Sequence, residues 1–160
     1  MFIIGEKVVY PVHGAGVIEG IEQQEVLGQY RSYYVLRMYV GEMRVLVPVD
    51  SVERTGMRHV CNAEKLAEVC LILRDVPSPW DDNWNRRYRL NMDKIRSGDI
   101  CQLAEVVRNL MCRDSSKGLS TGEKKMLDNA RKILMSEVVL AAGTEPESVE
   151  KQFLSAIGVT

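Results

Sequence analysis

The chain has 160 residues, of which 46% are apolar and 27% charged. That is an ordinary globular composition, sufficient for one domain or two small ones, and it excludes a chain that is disordered throughout. The formal net charge of −1 gives no whole-chain reason to expect a polyanionic partner. Its distribution does, because residues 86–132 carry twelve Lys or Arg against six Asp or Glu, between acidic flanks.

The apolar start, Phe2 to Ile4, is too short for a signal-peptide core, and no later apolar run approaches a membrane span. The expectation is a soluble, cytosolic protein. Four cysteines, Cys61, Cys70, Cys101 and Cys112, form no C-x-x-C pair, and no histidine pair stands at zinc spacing. Buried, reduced thiols are expected, with no metal and no cofactor.

The first sixty residues read as strands. EKVVYPV runs into His13-Gly14-Ala15-Gly16, VIEGIEQQEV follows, and Leu27-Gly28-Gln29 signals a turn before RSYYVLRMYV. After Gly41-Glu42 comes MRVLVPV. Val, Ile and Tyr dominate and glycines punctuate, so four or five short antiparallel strands should form a bent barrel or half-barrel. The alternation Val17, Glu19, Ile21 against Ile18, Gly20, Glu22 distinguishes the two faces only in part. Pro48 lacks an N–H and belongs at an edge or a strand end.

From about Asn62 the period becomes helical. A helix over 63–74 carries Leu66, Val69, Cys70 and Leu73, and DVPSPWDDN then makes a loop. A second helix is predicted over 83–97, closed by Gly98, with Tyr88, Met92 and Ile95 facing the core. A third carries Ile100, Leu103, Ala104, Val107, Leu110 and Met111 and ends at Gly118. Ser120-Thr-Gly-Glu123 is a capping box that opens a fourth helix reaching about Ala142. A fifth runs from about Glu145 to Ile157. The strand module is placed at 1–57 and the helical module at 62–160.

Catalytic chemistry is not visible. GLSTGEKK has the wrong spacing for a phosphate loop, and the capping box accounts for it. His13 and His59 have no plausible nucleophile or metal partner in sequence. Asp81-Asp82 suits a helix entry, where acidic groups meet the positive end of the dipole. No enzyme is expected.

The second helix carries the sharpest signal. Trp84 stands in its first turn, followed by Arg86, Arg87 and Arg89, with only Asp93 at i+4 spacing from Arg89. Trp84 is either a lid on the core or an apolar wedge, and the arginines are either a solvated face or a polyanion footprint. Lys124-Lys125 lie near the start of the fourth helix. If the two basic ends meet, the site suits a DNA backbone beside an opened base step.

The segments VVYPVHGAG at 8–16, NWNRRYR at 83–89, SGD at 97–99, AEVVRNL at 104–110 and RD…KGLSTGEKKML at 113–127 closely resemble the CarD family of bacterial transcription regulators. The resemblance covers almost the whole chain in order. It implies a two-module α+β protein, with an N-terminal Tudor-like sheet followed by a helical bundle. The sheet would dock on the RNA polymerase β subunit, as the similar module of the transcription-repair coupling factor does. The bundle would touch promoter DNA at the upstream edge of the bubble. On that likeness Trp84 is the minor-groove wedge, Arg86, Arg87 and Arg89 contact DNA, and Lys124 and Lys125 add a basic pair.

Two positions depart from the family pattern. Leu46 stands where some members carry a basic residue before Val47-Pro48, and Gln24 stands near another polymerase-contacting arginine. Docking is then more apolar here, or Arg44 substitutes. The expected function is stabilisation of the promoter open complex, with little sequence specificity and no small-molecule substrate. The alternative is a Tudor-like protein-interaction scaffold with a buried Trp84 and no DNA contact. A monomer is expected, with dimerisation through an exposed strand edge left open.

Overall fold

Short runs rich in Val, Ile and Tyr build an antiparallel sheet in a computed structural model that describes residues 1–158. Its strands are β1 (Lys7–Tyr10), β2 (Gly14–Val26), β3 (Gln29–Met38), β4 (Arg44–Pro48) and β5 (Arg58–His59), in the spatial order β4-β3-β2-β1-β5. β2 and β3 form the long central hairpin. Leu27 and Gly28 both take positive φ, 52° and 78°, as a two-residue turn between right-twisted strands requires. Pro48 is the last residue of the edge strand β4, where its missing N–H costs no ladder bond.

The blurred alternation in β2 has a cause. Ile18 pairs with Leu36 and Gly20 with Val35, so Glu19 is an extra residue and the strand bulges there. The bulge keeps Ile18 in the core and bends the hairpin. Beyond it, residues 21–30 are all exposed. Gly16 is dictated by close approach, since a Cβ there would lie 2.6 Å from the Arg37 carbonyl oxygen.

Val8, Ile18, Tyr34, Leu36, Met38 and Val47 form the core of this module. After β4, a 3₁₀ turn over Val49–Ser51 and the single helical turn α1 (Val52–Thr55) bring Val52 and Met57 over that core. The chain then returns as β5 to pair with β1. The sheet therefore extends to His59, two residues past the limit expected from sequence. Arg58 and His59 carry no strand signal of their own; pairing with Val9 and Val8 makes them a strand.

Five longer helices follow: α2 (Ala63–Arg74), α3 (Trp84–Arg96), α4 (Ile100–Ser116), α5 (Thr121–Ala142) and α6 (Pro146–Ile157). Side chains of Asn62, Asn83, Asp99 and Ser120 cap α2, α3, α4 and α5, each accepting from a free first-turn N–H. α4 packs against α2, α3 and α5 and supplies the densest part of the core, with Ala104, Val106, Val107 and Leu110 fully buried. Ile95 is buried on α3, with Tyr88 and Met92 packed beside it. Among the described residues no helix is long and apolar enough to cross a membrane.

The two modules meet through α5. The Ala15 N–H donates to Ser136 Oγ at 2.9 Å, and that hydroxyl donates to the Ile133 carbonyl at 2.6 Å. Gly14, at φ 103°, leaves the space that Ser136 fills. Arg58 clamps Glu137 with two bonds of 2.7 and 2.8 Å and reaches the Gly98 carbonyl with Nε and a terminal nitrogen, at 3.0 and 2.8 Å. The Cys61 N–H also donates to Glu137, at 2.9 Å. The buried carboxylate is thus saturated by donors, the condition under which a buried ion pair offsets its desolvation.

The close approach at Gly16 is directly testable. Gly16→Ala forces the hairpin backbones apart and should cost about 2 kcal/mol, the typical scale for overpacking, measured by chemical or thermal unfolding.

Candidate nucleic-acid interface

The site begins in the loop between α2 and α3, whose prolines at 77 and 79 prevent helix. Arg108, buried on α4, fastens this loop. It donates to the Ile72 carbonyl at 3.0 Å and to Ser78 Oγ at 3.1 Å, while Asn109 accepts from the Ser78 N–H. Trp80 then has two guanidinium groups against its ring, Arg87 at 4.5 Å and Arg113 at 4.6 Å from the centroid. That arrangement attracts both cations to the indole's negative faces.

Asn83 caps α3 and makes Trp84 its first residue. One turn on, Tyr88 stacks against the Trp84 ring at 5.0 Å between centroids and an interplanar angle of 21°. The Trp84 Nε1–H donates to Ser120 Oγ, the cap of α5, at 3.1 Å. Gly122, in the first turn of α5, lies beside both rings. Trp84 as a residue remains 41% exposed. It is neither a lid sealed in the core nor a loose surface ring.

The N-termini of α3 and α5 therefore adjoin, so that Arg86 and Arg89 in the first two turns of α3 and Lys124 and Lys125 near the start of α5 belong to one end of the bundle. All four are exposed. Arg86 makes a long ion pair with Asp81, at 3.5 Å. Among the described residues Arg89, Lys124 and Lys125 form no ion pair, and Asp93 does not pair with Arg89.

Arg87 is different. Its Nε and a terminal nitrogen donate to the two oxygens of Glu123 at 2.9 and 3.1 Å, and its other terminal nitrogen donates to the Asp81 carbonyl at 2.9 Å. The arginine side chain is 13% exposed and the carboxylate 2%. Its guanidinium belongs to the bundle's internal structure. Sequence reading grouped Arg87 with Arg86 and Arg89 because the partner lies 36 residues away. The Glu123 of the capping box was visible, but its second task was not.

On the sheet, Gln24, Arg44 and Leu46 are exposed, Pro48 is half-buried, and Val47 is fully buried against the core. Only the main chain of Val47 faces the edge. Gln24 pairs with Arg31 on the outer hairpin, beyond the end of β4. Arg44 bonds Glu22 at 2.9 Å and approaches Glu19 at 3.7 Å, so its charge is already matched within the sheet. The cysteines are half-buried and unpaired. Burial pushes the Cys61 thiol up to about 12, with Glu137 adding to it, and burial pushes Cys101 up to about 11. Neither is poised as a thiolate nucleophile. Among the described residues no cluster of His, Cys, Asp and Glu could hold a metal.

Burial pushes the Glu123 carboxyl upward, but the hydrogen bonds from Arg87 and Ser120 outweigh it and hold the group below its ordinary value near 4.5. A lowered folded-state value contributes stability that is present above the ordinary value and lost as pH falls through the folded one. Glu123→Gln should cost about 3 kcal/mol at neutral pH, a fall of roughly 10 °C in melting temperature. The gap between variant and parent should narrow as the pH is lowered below 4.5, which melting curves across that range will test.

Comparison with known proteins now adds the lineage. The CarD-like/TRCF RID domain family matches residues 2–61, and the CarD C-terminal domain family matches residues 68–153. "Putative transcription factor YdeB" of Bacillus subtilis (strain 168) is 40% identical over 150 residues, covering 94% of this chain and 98% of that protein. Two solved N-terminal fragments from Myxococcus xanthus are also similar. CdnLNt is 44% identical over 37% of this chain and 83% of its own, with a TM-score of 0.33. The 72-residue N-terminal domain of CarD is 30% identical over 37% of this chain and 79% of its own, with a TM-score of 0.32. With both domain families matched in order and a relative aligned over nearly its full length, the chain belongs to the CarD family of RNA polymerase-interacting transcription factors.

Proposed function

We propose that this protein stabilises the promoter open complex, holding the polymerase β subunit through its sheet and gripping the upstream edge of the melted DNA with Trp84. One observation carries the reading. A part-exposed tryptophan is fixed where two helix N-termini meet, the same helix ends that carry Arg89, Lys124 and Lys125, which form no ion pair among the described residues. Helix N-termini direct free N–H groups and positive dipole ends outward, the natural receptor for phosphate. An apolar wedge beside them suits a base step that has already lost its stacking partner.

Arg86, Arg89, Lys124 and Lys125 take the phosphate-facing role. Arg87 acts from within, by holding the ends of α3 and α5 together. Four surface cations give weak affinity in free solution, and contacts to phosphate carry no sequence information. Docking on polymerase raises the local concentration and makes weak contact sufficient. The sheet edge at β4 offers main-chain groups for strand addition, flanked by Leu46 and Arg44. Binding shifts an equilibrium only by differential affinity, so the indole must fit the melted fork better than closed duplex. A difference of about 1.4 kcal/mol multiplies the open-to-closed ratio by ten.

The direct measurement is open-complex lifetime with purified polymerase. The protein should lengthen it, and Trp84→Ala should remove most of the gain while leaving polymerase binding unchanged. An unaltered lifetime in that variant would refute the wedge. Replacing Lys124 and Lys125 together with alanine should weaken DNA contact and lower the slope of log affinity against log salt by about 2. A loss with no change in slope would point to misfolding instead.

A further inference from the structure

A hydroxyl has one proton to give and two lone pairs to receive with. At Ser120 all three are used. Oγ donates to Glu123 Oε1 at 3.0 Å, and it accepts from the Glu123 N–H at 3.2 Å and from Trp84 Nε1–H at 3.1 Å. The direction of this chain is forced. An ionised carboxylate can only accept, and Arg87 bonds both oxygens of Glu123. The hydroxyl proton must therefore point at Glu123, leaving the lone pairs free for the indole. Arg87 is itself immobilised by the Asp81 carbonyl and the Trp80 face.

We infer that Ser120 is the positioning residue of the indole, and that the relay Arg87–Glu123–Ser120 holds Trp84 in its DNA-engaging orientation before DNA arrives. The inference rests on the wedge reading above and extends it. With Tyr88 under one face and Ser120 on the N–H edge, the ring keeps only its opposite face and outer edge for the fork. The entropy of fixing two side-chain torsions is then spent on folding and not on binding. The N–H is also withdrawn from base recognition, so the ring engages by shape and apolar contact and tolerates different sequences.

The test uses the full-length protein with polymerase and a promoter, together with the indole N–H signals of the ¹⁵N-labelled protein. In the parent, the Trp84 indole N–H should have an order parameter near the rigid-backbone value of about 0.85, falling below about 0.6 in Ser120→Ala. Ser120→Ala should also reduce the gain in open-complex lifetime by three- to tenfold, and Ser120→Thr should restore it. In the Trp84→Phe background, which has no indole N–H, adding Ser120→Ala should change nothing further. If Ser120→Ala costs the same in both backgrounds, Ser120 acts only as the cap of α5 and the inference fails. It fails equally if the indole order parameter does not move. If Trp84→Ala itself keeps the full lifetime gain, the wedge reading has failed, and the positioning role with it.

Discussion

The ion pair between Arg87 and Glu123 is the constraint on which the candidate site depends. Two helix N-termini set side by side present like partial charges, which is unfavourable without a negative group between them. Glu123 supplies that group at the third position of α5, and Arg87 neutralises it from α3 with two parallel bonds. Because the carboxylate is buried and saturated, the pair has a single geometry. The positions of Trp84, Lys124 and Lys125 follow from it, since each lies within a turn of one partner. An arginine that sequence reading grouped with DNA-contacting residues is thus part of the link between the two helix ends.

A second saturated carboxylate, Glu137, plays the matching part at the other end of α3. Arg58 bonds Glu137 and also the carbonyl of Gly98, in the turn that closes α3. Ser136, on the same stretch of α5, receives the Ala15 N–H from the sheet. α5 therefore touches both modules. Its first turn fixes the start of α3, and its later turns fix the sheet and, through Arg58, the end of α3.

Much of this was legible in the sequence, and the reasons are local. The capping box at Ser120, the glycines at 98 and 118, and the apolar period of α4 depend only on neighbours within a few residues. The helix bounds were accordingly placed within a residue or two, and the adjoining basic helix ends were anticipated as one arrangement among others. The bulge at Glu19 appeared only as muddled alternation, because its cause lies in the register with β3. Strand β5 has no propensity signal and exists through β1. Arg87 with Glu123, and Arg58 with Glu137, are separated by 36 and 79 residues. No periodicity encodes which of many charged residues will meet across the fold. Trp80 lies in the DVPSPWDDN loop with no local signal of its own, although two arginines lie against its ring.

The hold of Arg58 on the Gly98 carbonyl has a mechanical consequence. The short connection at 60–62 is not the sole link between the modules, since Arg58 and Ala15 of the sheet also bond Glu137, Gly98 and Ser136 of the bundle. The span from the β4 edge to the indole is thus a built-in dimension of the molecule, like the gap of a fixed calliper. On the proposed reading, polymerase holds one jaw and the other meets only DNA that parts at the matching distance, so selectivity among promoters would arise from where the strands separate and not from which bases lie there.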